Sequence, residues 1–403
     1  MPSGLRAGTL PEPLNQNTKI GPVSPHWILF FIFEPTAETS KYVLFDADNA
    51  EYKAWLTAGY IPSMSASPDG RQIYIADTFL EGPERLRKDY VSFYDTRDYS
   101  FIAKIDMPRT RAMMGSDNRS TVIGDGRFLL IYTFTPASGI TVIDIAKRAV
   151  VGSVDTTGCS LLYSTGHSHA TMICGDGGLL TVVFDSNGRV VKRIRTKPFF
   201  DPNTDPLHEN ATVIGGMHYF VSYLGDVYPV DLSGEEPVVH GHWALAPRAA
   251  TEPSASSDKK DGSKGEGLWR PGGEQFLASH AGRGELYVLM HPVAMSGPND
   301  QKFPGTEVWV YDIASKARTR RIKVDGLMNT IIVTADDQPL IVMGGSDLLH
   351  GGHEADLPAS RQAIPIVSDI QIYSAATGTF LREFKEIGIT YGMRPAPGNE
   401  VKR

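Results

Sequence analysis

One short pattern recurs along the chain and limits its fold more than any other feature. An alternating apolar run ends in an acidic or small polar residue, a tight turn follows, and a second alternating run leads away. It reads YVLFDAD around Asp46, VSFYDTRDYSFIAKID around Asp95 and ITVIDIAKRAVVGSVD around Asp144. It returns as LTVVFDSNGRVVKRIR around Asp185, DVYPVDLSGEEPVV around Asp231 and VWVYDIASKARTRRIKVD around Asp312, and last as IQIYSAATGTFLREFKE with Ser374 in the Asp place. Period-2 alternation on both sides of a turn rich in Asp, Ser, Asn and Gly predicts a β-hairpin at each copy.

The seven markers stand 49, 49, 41, 46, 81 and 62 residues apart. The two long gaps hold polar or loop-like stretches, 249–267 and 292–306 in the first and 348–361 in the second. Setting these aside returns the gaps to 47 and 48. Further strands introduced by turns precede several copies, as in SPDGRQIYIAD at 67–77, GDGRFLLIYTF at 124–134, GRGELYVLMH at 282–291 and TADDQPLIVMGG at 334–345. Four strands per unit of this length, repeated radially, predict an all-β, seven-bladed β-propeller of four-stranded antiparallel blades. The propeller is expected over 26–396, between a polar, Pro-punctuated N-terminal arm at 1–25 and a C-terminal tail at 397–403. A length of 403 residues would otherwise suggest two or three domains, a prior the repeat overrides. The 40 Gly and 27 Pro fit many turns, and no long run shows helical periodicity.

Composition narrows the function by exclusion. Lys and Arg number 39 against 46 Asp and Glu, a net charge of −7 that disfavours nucleic acid as a partner. The 41% apolar and 21% charged content excludes wholesale disorder. The longest apolar run, Trp27 to Phe33, is strand length, so no membrane span is expected. Residues 1–25 contain no apolar core of a signal peptide, so the chain reads as cytosolic or as one whose leader has been replaced.

Catalytic signatures are absent: no G-x-S-x-G, no phosphate-binding loop and no dinucleotide fingerprint occur. His350-Gly-Gly-His353-Glu354-Ala-Asp356 gathers two imidazoles and two carboxylates, which makes His350, His353 and Glu354 weak candidates for a metal in what otherwise reads as a polar loop. The pairs His167/His169 and His240/His242 read as surface or loop histidines, and His280 and His291 as packed or capping groups. The recurring turn aspartates read as structural acceptors for backbone N–H groups, and 249–267 as a solvated loop. Two cysteines, Cys159 and Cys174, exclude a four-thiolate site within the chain. They are compatible with a disulfide or with two buried thiols.

Three segments carry a resemblance. Trp269-Arg270-Pro271-Gly272-Gly273 is followed by EQFLASHAGRGELYVLM. Phe79 to Asp95 (FLEGPERLRKDYVSFYD) continues into SFIAKIDMPRTRAMMG. Cys159 and Cys174 enclose SLLYSTGHSHATMI. In this order, over about residues 27 to 395, the chain resembles the heavy subunit of the quinoprotein amine dehydrogenases, the methylamine and aromatic amine dehydrogenases. The resemblance implies a seven-bladed propeller, a Cys159–Cys174 disulfide and a substrate-channel aromatic at Phe79. It implies an α2β2 complex in a periplasmic setting, with tryptophan tryptophylquinone on the small subunit and no cofactor bound covalently by this chain. There a primary amine is oxidised to aldehyde and ammonia, and electrons leave to a cupredoxin or c-type cytochrome. With no catalytic residues of its own, this chain would supply position and exclusion. Glu274 departs from the family, which tends to have Trp there, and the inserts at 249–267 and 348–361 are longer than expected. The alternative is a stand-alone propeller acting as a binding or scaffolding module, metal-binding through the 350–356 loop in one variant.

Overall fold

A computed structural model of the chain describes residues 20, 22–34, 39–113, 118–246, 268–295, 302–345, 369–385, 387 and 389–397. The chain opens with β1 (Trp27–Glu34), β2 (Thr39–Asp46) and β3 (Glu51–Ala58). A second sheet follows from β4 (Ser63–Ala66), β5 (Gln72–Glu81), β6 (Leu86–Asp95) and β7 (Phe101–Asp106). A third holds β8 (Thr110–Arg111), β9 (Ser120–Ile123), β10 (Phe128–Thr135), β11 (Gly139–Asp144) and β12 (Ala149–Asp155). The fourth is β13 (Cys159–Tyr163), β14 (His169–Cys174), β15 (Leu179–Phe184) and β16 (Val190–Arg195). The fifth is β17 (Thr212–Ile214), β18 (Met217–Val221), β19 (Asp226–Asp231), β20 (Val238–Val239) and β21 (Trp243–Ala244). The last comprises β22 (Trp269–Pro271), β23 (Leu277–His280), β24 (Glu285–Pro292), β25 (Gly305–Asp312), β26 (Ala317–Val333), β27 (Leu340–Gly345), β28 (Ile370–Ser374) and β29 (Phe380–Phe384). Finally β30 (Ile389–Pro395) returns to pair with β1. Every ladder is antiparallel, as in a β-propeller.

All seven hairpins form where the repeat places them, and the marker residues show why. Asp46 Oδ1 accepts from the backbone N–H of Asp48 at 2.9 Å, Asp95 from Arg97 at 2.9 Å and Asp144 from Lys147 at 3.0 Å. Asp185 accepts from Asn187 and Arg189 at 2.8 and 2.9 Å, Asp231 from Ser233 at 2.8 Å and Asp312 from Ser315 at 2.8 Å. Ser374 does the same through its hydroxyl, accepting from Thr377 N–H at 3.3 Å. A short side chain that accepts from the backbone two or three residues on closes such a turn. The aspartates are therefore turn-formers, as their positions predict.

The expectation of seven separate four-stranded blades needs correction. The described residues form five separate sheets of four or five strands and one sheet of eight. The last two copies of the repeat share that eight-stranded sheet because β26 runs unbroken for 17 residues. Its first part pairs with β25 and its second with β27. The segment RTRRIKVDGLMNTIIV contains no Pro, and its one turn signal, Asp325-Gly326, does not end the strand: Gly326 passes through at positive φ instead. Two sheets gain a fifth strand because two short strands share one partner: β8 and β9 on β10, β20 and β21 on β19.

Cores lie between neighbouring sheets. Tyr74, Ala76, Val91 and Phe93 of the second sheet pack on Leu129, Ile131 and Ile143 of the third. The central strands are apolar on both faces, as in Leu179–Phe184, whose six residues are all buried. Each such Leu, Ile or Phe contributes about 1.5–3 kcal/mol on burial.

The ring closes where β30 pairs with β1 from Ile28↔Pro395 to Phe33↔Ile389, with one register shift between Phe31 and Ile32. A charged clamp reinforces the seam. His26 Nδ1 lies 2.8 Å from Asp48 Oδ2 and His26 Nε2 lies 3.2 Å from Asp336 Oδ1, joining the first sheet to the β26–β27 turn. Burial alone lowers the His26 pKa, but the Asp48 and Asp336 carboxylates outweigh it and raise the value above the ordinary 6.5. The folded state thus holds a proton the unfolded chain gives up. This stabilisation is fully present below the ordinary value and is lost as pH rises through the raised one. His26→Gln should lower the thermal midpoint by several degrees at about pH 5.5 and by much less at about pH 8.5. Circular dichroism melts of both proteins at the two pH values check it; an equal gap at both would mean the clamp works by packing alone.

Candidate functional site

Strand direction alternates within a blade, so the connection from its second to its third strand emerges beside the start of its first. One side of the ring therefore collects the β5–β6 hairpin (Phe79, Leu80, Leu86), the β10–β11 turn and the β14–β15 turn. It also collects the Val221–Asp226 turn and the segments around Trp269 and Lys302. The turn aspartates and His26 lie on the other side.

On the first side the segments that enter the innermost strands are stitched together. Leu162 N–H donates to Asn118 O at 2.6 Å. Asn118 Nδ2 and the Tyr163 hydroxyl both donate to Glu209 O at 2.6 Å. Asn210 Nδ2 reaches Glu274 O at 3.1 Å, and the Gln275 amide pairs twice with the Met393 backbone at 2.8 and 2.9 Å. These bonds form a collar that passes from sheet to sheet.

Two buried arginines complete it. Arg111 Nη2 donates to Tyr60 O at 2.5 Å and Ile61 O at 2.9 Å. Arg119 donates to Ile61 O at 2.8 Å and Pro62 O at 2.5 Å. Both side chains are buried, and together they hold the strap from β3 to β4, in which Ile61 takes a positive φ of 43°. Asp89 sits beneath, accepting from Thr78 Oγ1 at 2.5 Å and from Arg111 N–H at 3.0 Å. Asp77 lies on the same strand as Phe79, two residues before it, and is fully buried. Its Oδ1 has no hydrogen-bond partner, and burial pushes its pKa up to about 7 against the pull of Arg111. Burial likewise draws the Arg111 guanidinium down to about 9.

The Trp269–Gly273 segment has a packing explanation. The Trp269 and Trp309 rings lie 5.1 Å apart, with the Arg321 guanidinium 4.8 and 5.0 Å from the two ring centres. A Cβ on Gly272 would stand 2.0 Å from Phe303 O, and one on Gly273, at φ +116°, 2.6 Å from Asn329 O. Only glycine admits the backbone approaches that seat this segment. Beside it, Lys302 Nζ bridges Glu209 at 3.1 Å and Glu274 at 2.7 Å. Burial works against the Glu209 charge, yet His208 and Lys302 beside it hold its pKa below the ordinary value. Burial drops neighbouring His208 to about 4, so it stays neutral near pH 7. Glu274, unusual by the resemblance, is thus the second anchor of a lysine.

Phe79 is half-buried near the tip of β5, its ring 6.0 Å from that of Tyr90. Cys159 and Cys174 are directly opposed on β13 and β14 and are bonded to each other. A loop of that length contributes roughly 3 kcal/mol in the chain-entropy account. His169 is buried against Leu232 O at 3.0 Å, and His242 lies 3.8 Å from Asp226. His280 caps the short helical turn at Ala281–Arg283, and His291 packs on Phe303. Among the described residues no three His, Cys, Asp or Glu converge as a metal would require. His350, His353 and Glu354 lie outside the described residues, as do 249–267, 348–361, the middle of 292–306 and most of the N-terminal arm. The Arg111–Asp77 cluster leaves one signal in the sequence, an acid inside a mostly apolar strand, IYIADTFL.

A profile of the methylamine dehydrogenase heavy chain matches residues 31–348. The chain belongs to the methylamine dehydrogenase heavy chain family. A methylamine dehydrogenase heavy chain from Methylophilus methylotrophus is 29% identical over 75% of this chain and 71% of its own length. That of Paracoccus versutus is 26% identical over 87% and 74%. Among solved structures, a periplasmic gluconolactonase of Pseudomonas aeruginosa aligns over 91% of this chain and 98% of its own at TM-score 0.57 and 12% identity. A dihydro-heme d1 dehydrogenase aligns over 94% and 77% at 0.51 and 14%. These two share the fold alone. In this amine dehydrogenase heavy chain, Phe79, the Cys159–Cys174 pair and Trp269–Gly273 lie on one side of the ring.

Two substitutions probe this side. The folded chain keeps the Asp77 proton to about pH 7, whereas the unfolded chain releases it near 3.8. Asp77 therefore costs stability progressively as pH rises between those values. Asp77→Asn should stabilise at about pH 8 by on the order of 2 kcal/mol and be near neutral at about pH 4. Urea titrations at both pH values measure it, and a loss at the higher pH would show that the carboxylate is needed to pair Arg111. Gly272→Ala should destabilise by about 2 kcal/mol or more through overpacking against Phe303, read as a lower thermal midpoint; an unchanged midpoint would mean that Phe303 yields freely.

Proposed function

We propose that this chain is the large subunit of an amine dehydrogenase complex and that the collar side of its ring receives a small, quinone-bearing subunit. One observation carries the reading. Leu80, Leu86, Met113, Phe134, Leu268 and Met295 are all exposed on that side, while the other large exposed apolar side chains among the described residues, Val23 aside, sit on outermost strands. Six apolar groups around one mouth are what a covered docking face needs. The family's own segments, Phe79, the disulfide and Trp269–Gly273, lie on the same side.

In this reading the tryptophan tryptophylquinone belongs to the small subunit and supplies the two-electron oxidation of a primary amine to aldehyde and ammonia. This chain contributes shape. Phe79 walls the substrate channel with an apolar ring, and the β5–β6 hairpin excludes water beside it. The Lys302 bridge between Glu209 and Glu274 fixes the far wall. A cupredoxin or c-type cytochrome takes the electrons, and an α2β2 assembly in the periplasm fits the disulfide, which persists in oxidising compartments.

Purification of the tagged chain from its native host tests the assignment. A second, smaller chain that stains for redox-cycling quinone should co-elute, and Leu86→Asp with Phe134→Asp should abolish co-elution without moving the thermal midpoint. The chain emerging alone, with no quinone-bearing companion, would sink the proposal and leave the stand-alone module.

A further inference from the structure

Several outward-facing cations among the described residues are held in ion pairs. Arg320 pairs with Glu285, Arg321 with Glu307, Lys192 with Glu235 and Arg195 with Asp176. The outermost strand of the fourth sheet carries a dense basic run, not all of it paired. Of the five basic residues at positions 189 to 197, Arg189, Arg193 and Lys197 form no ion pair among the described residues. All three are exposed.

Two of them converge. Arg193 pairs with Val182, whose side chain belongs to the core shared with the third sheet, so Arg193 turns toward β12. There it meets a groove of about 480 Å³ between the outer edges of the two sheets, lined by Arg189, Arg193, Ser153, Gly152 and Gly188. One carboxylate also lines it, Asp155, and that is already held by Arg109 at 2.8 Å. The groove therefore offers two guanidinium groups outside any ion pair, Arg189 still within the field of the turn carboxylate Asp185, together with a hydroxyl and the apolar side chains of Val151, Val154 and Val190.

We propose that this groove binds a carboxylate-rich segment of a partner protein. Guanidinium groups pair with carboxylates in two-pronged geometry, and a concave site between two sheet edges admits an extended chain. The net charge of −7 opposes every polyanion at long range, so the groove acts on carboxylates only as a local positive site. Edge protection against aggregation is the competing role of charged residues on an outermost strand. It separates cleanly from docking, because glutamate guards an edge as well as arginine does but repels an acidic segment.

The full chain, with any companion subunit, is titrated into a fluorescein-labelled hexaglutamate peptide and followed by anisotropy. Binding should weaken with added salt and fall at least tenfold in Arg189→Glu/Arg193→Glu, with Arg189→Gln/Arg193→Gln between. Lys316→Glu/Lys323→Glu, on a different edge, should bind like the wild type, and all variants should melt with it. Equal peptide binding by the wild type and the double glutamate variant overturns the proposal. So does tighter binding of a single-stranded oligonucleotide of matched charge, or displacement of the peptide by low millimolar inorganic phosphate.

Discussion

The antiparallel pairing of β30 with β1 is the contact on which the ring depends. A blade begun at the N-terminus lacks its innermost strand until the last residues arrive, so the first sheet is incomplete without the far end of the chain. This converts a row of sheets, each with two open edges and two apolar faces, into a closed circuit in which every face meets a neighbour. Leu29 and Leu44 face the second sheet while Phe30 and Phe45 face the last one, so the single seam joins two separate cores.

Closure also explains the two unlike sides. Segments entering the innermost strands converge near the axis, where adjacent backbones come close and their polar groups need partners. The collar supplies them through Asn118, Tyr163, Asn210, Gln275, Arg111 and Arg119. The opposite side is built of turns closed by their own aspartates and is linked from sheet to sheet chiefly by histidines, His26 to Asp336, His169 to Leu232 O and His280 to Asp336 O. The collar side is the one whose longer connections project apolar tips.

The hairpins were legible because their chemistry is local. Seven turns each need one short acceptor and two alternating runs, and Asp46 through Ser374 announce them. The fusion of the last two copies was not legible, since pairing both halves of β26 depends on partners far apart in sequence, β25 and β27. The site divides in the same way. Gly272 and Gly273 stood out as letters, but the reason for them, the approach of Phe303 and Asn329, is tertiary. The Arg111–Arg119 strap left almost no trace, because its acceptors are backbone carbonyls and carry no sequence mark.

That last point has a wider consequence. The two guanidinium groups grip the oxygens of residues 60 to 62, not their side chains, so the identities of Tyr60 and Ile61 are uncoupled from the grip. Drift along the strap leaves the linkage intact so long as the backbone path survives, and at position 61 glycine or asparagine would follow that path with less strain. The arginines have no such latitude. A lysine ammonium cannot span two carbonyls from one planar fork, so heritable change in this region is channelled into the held segment and away from the hand that holds it.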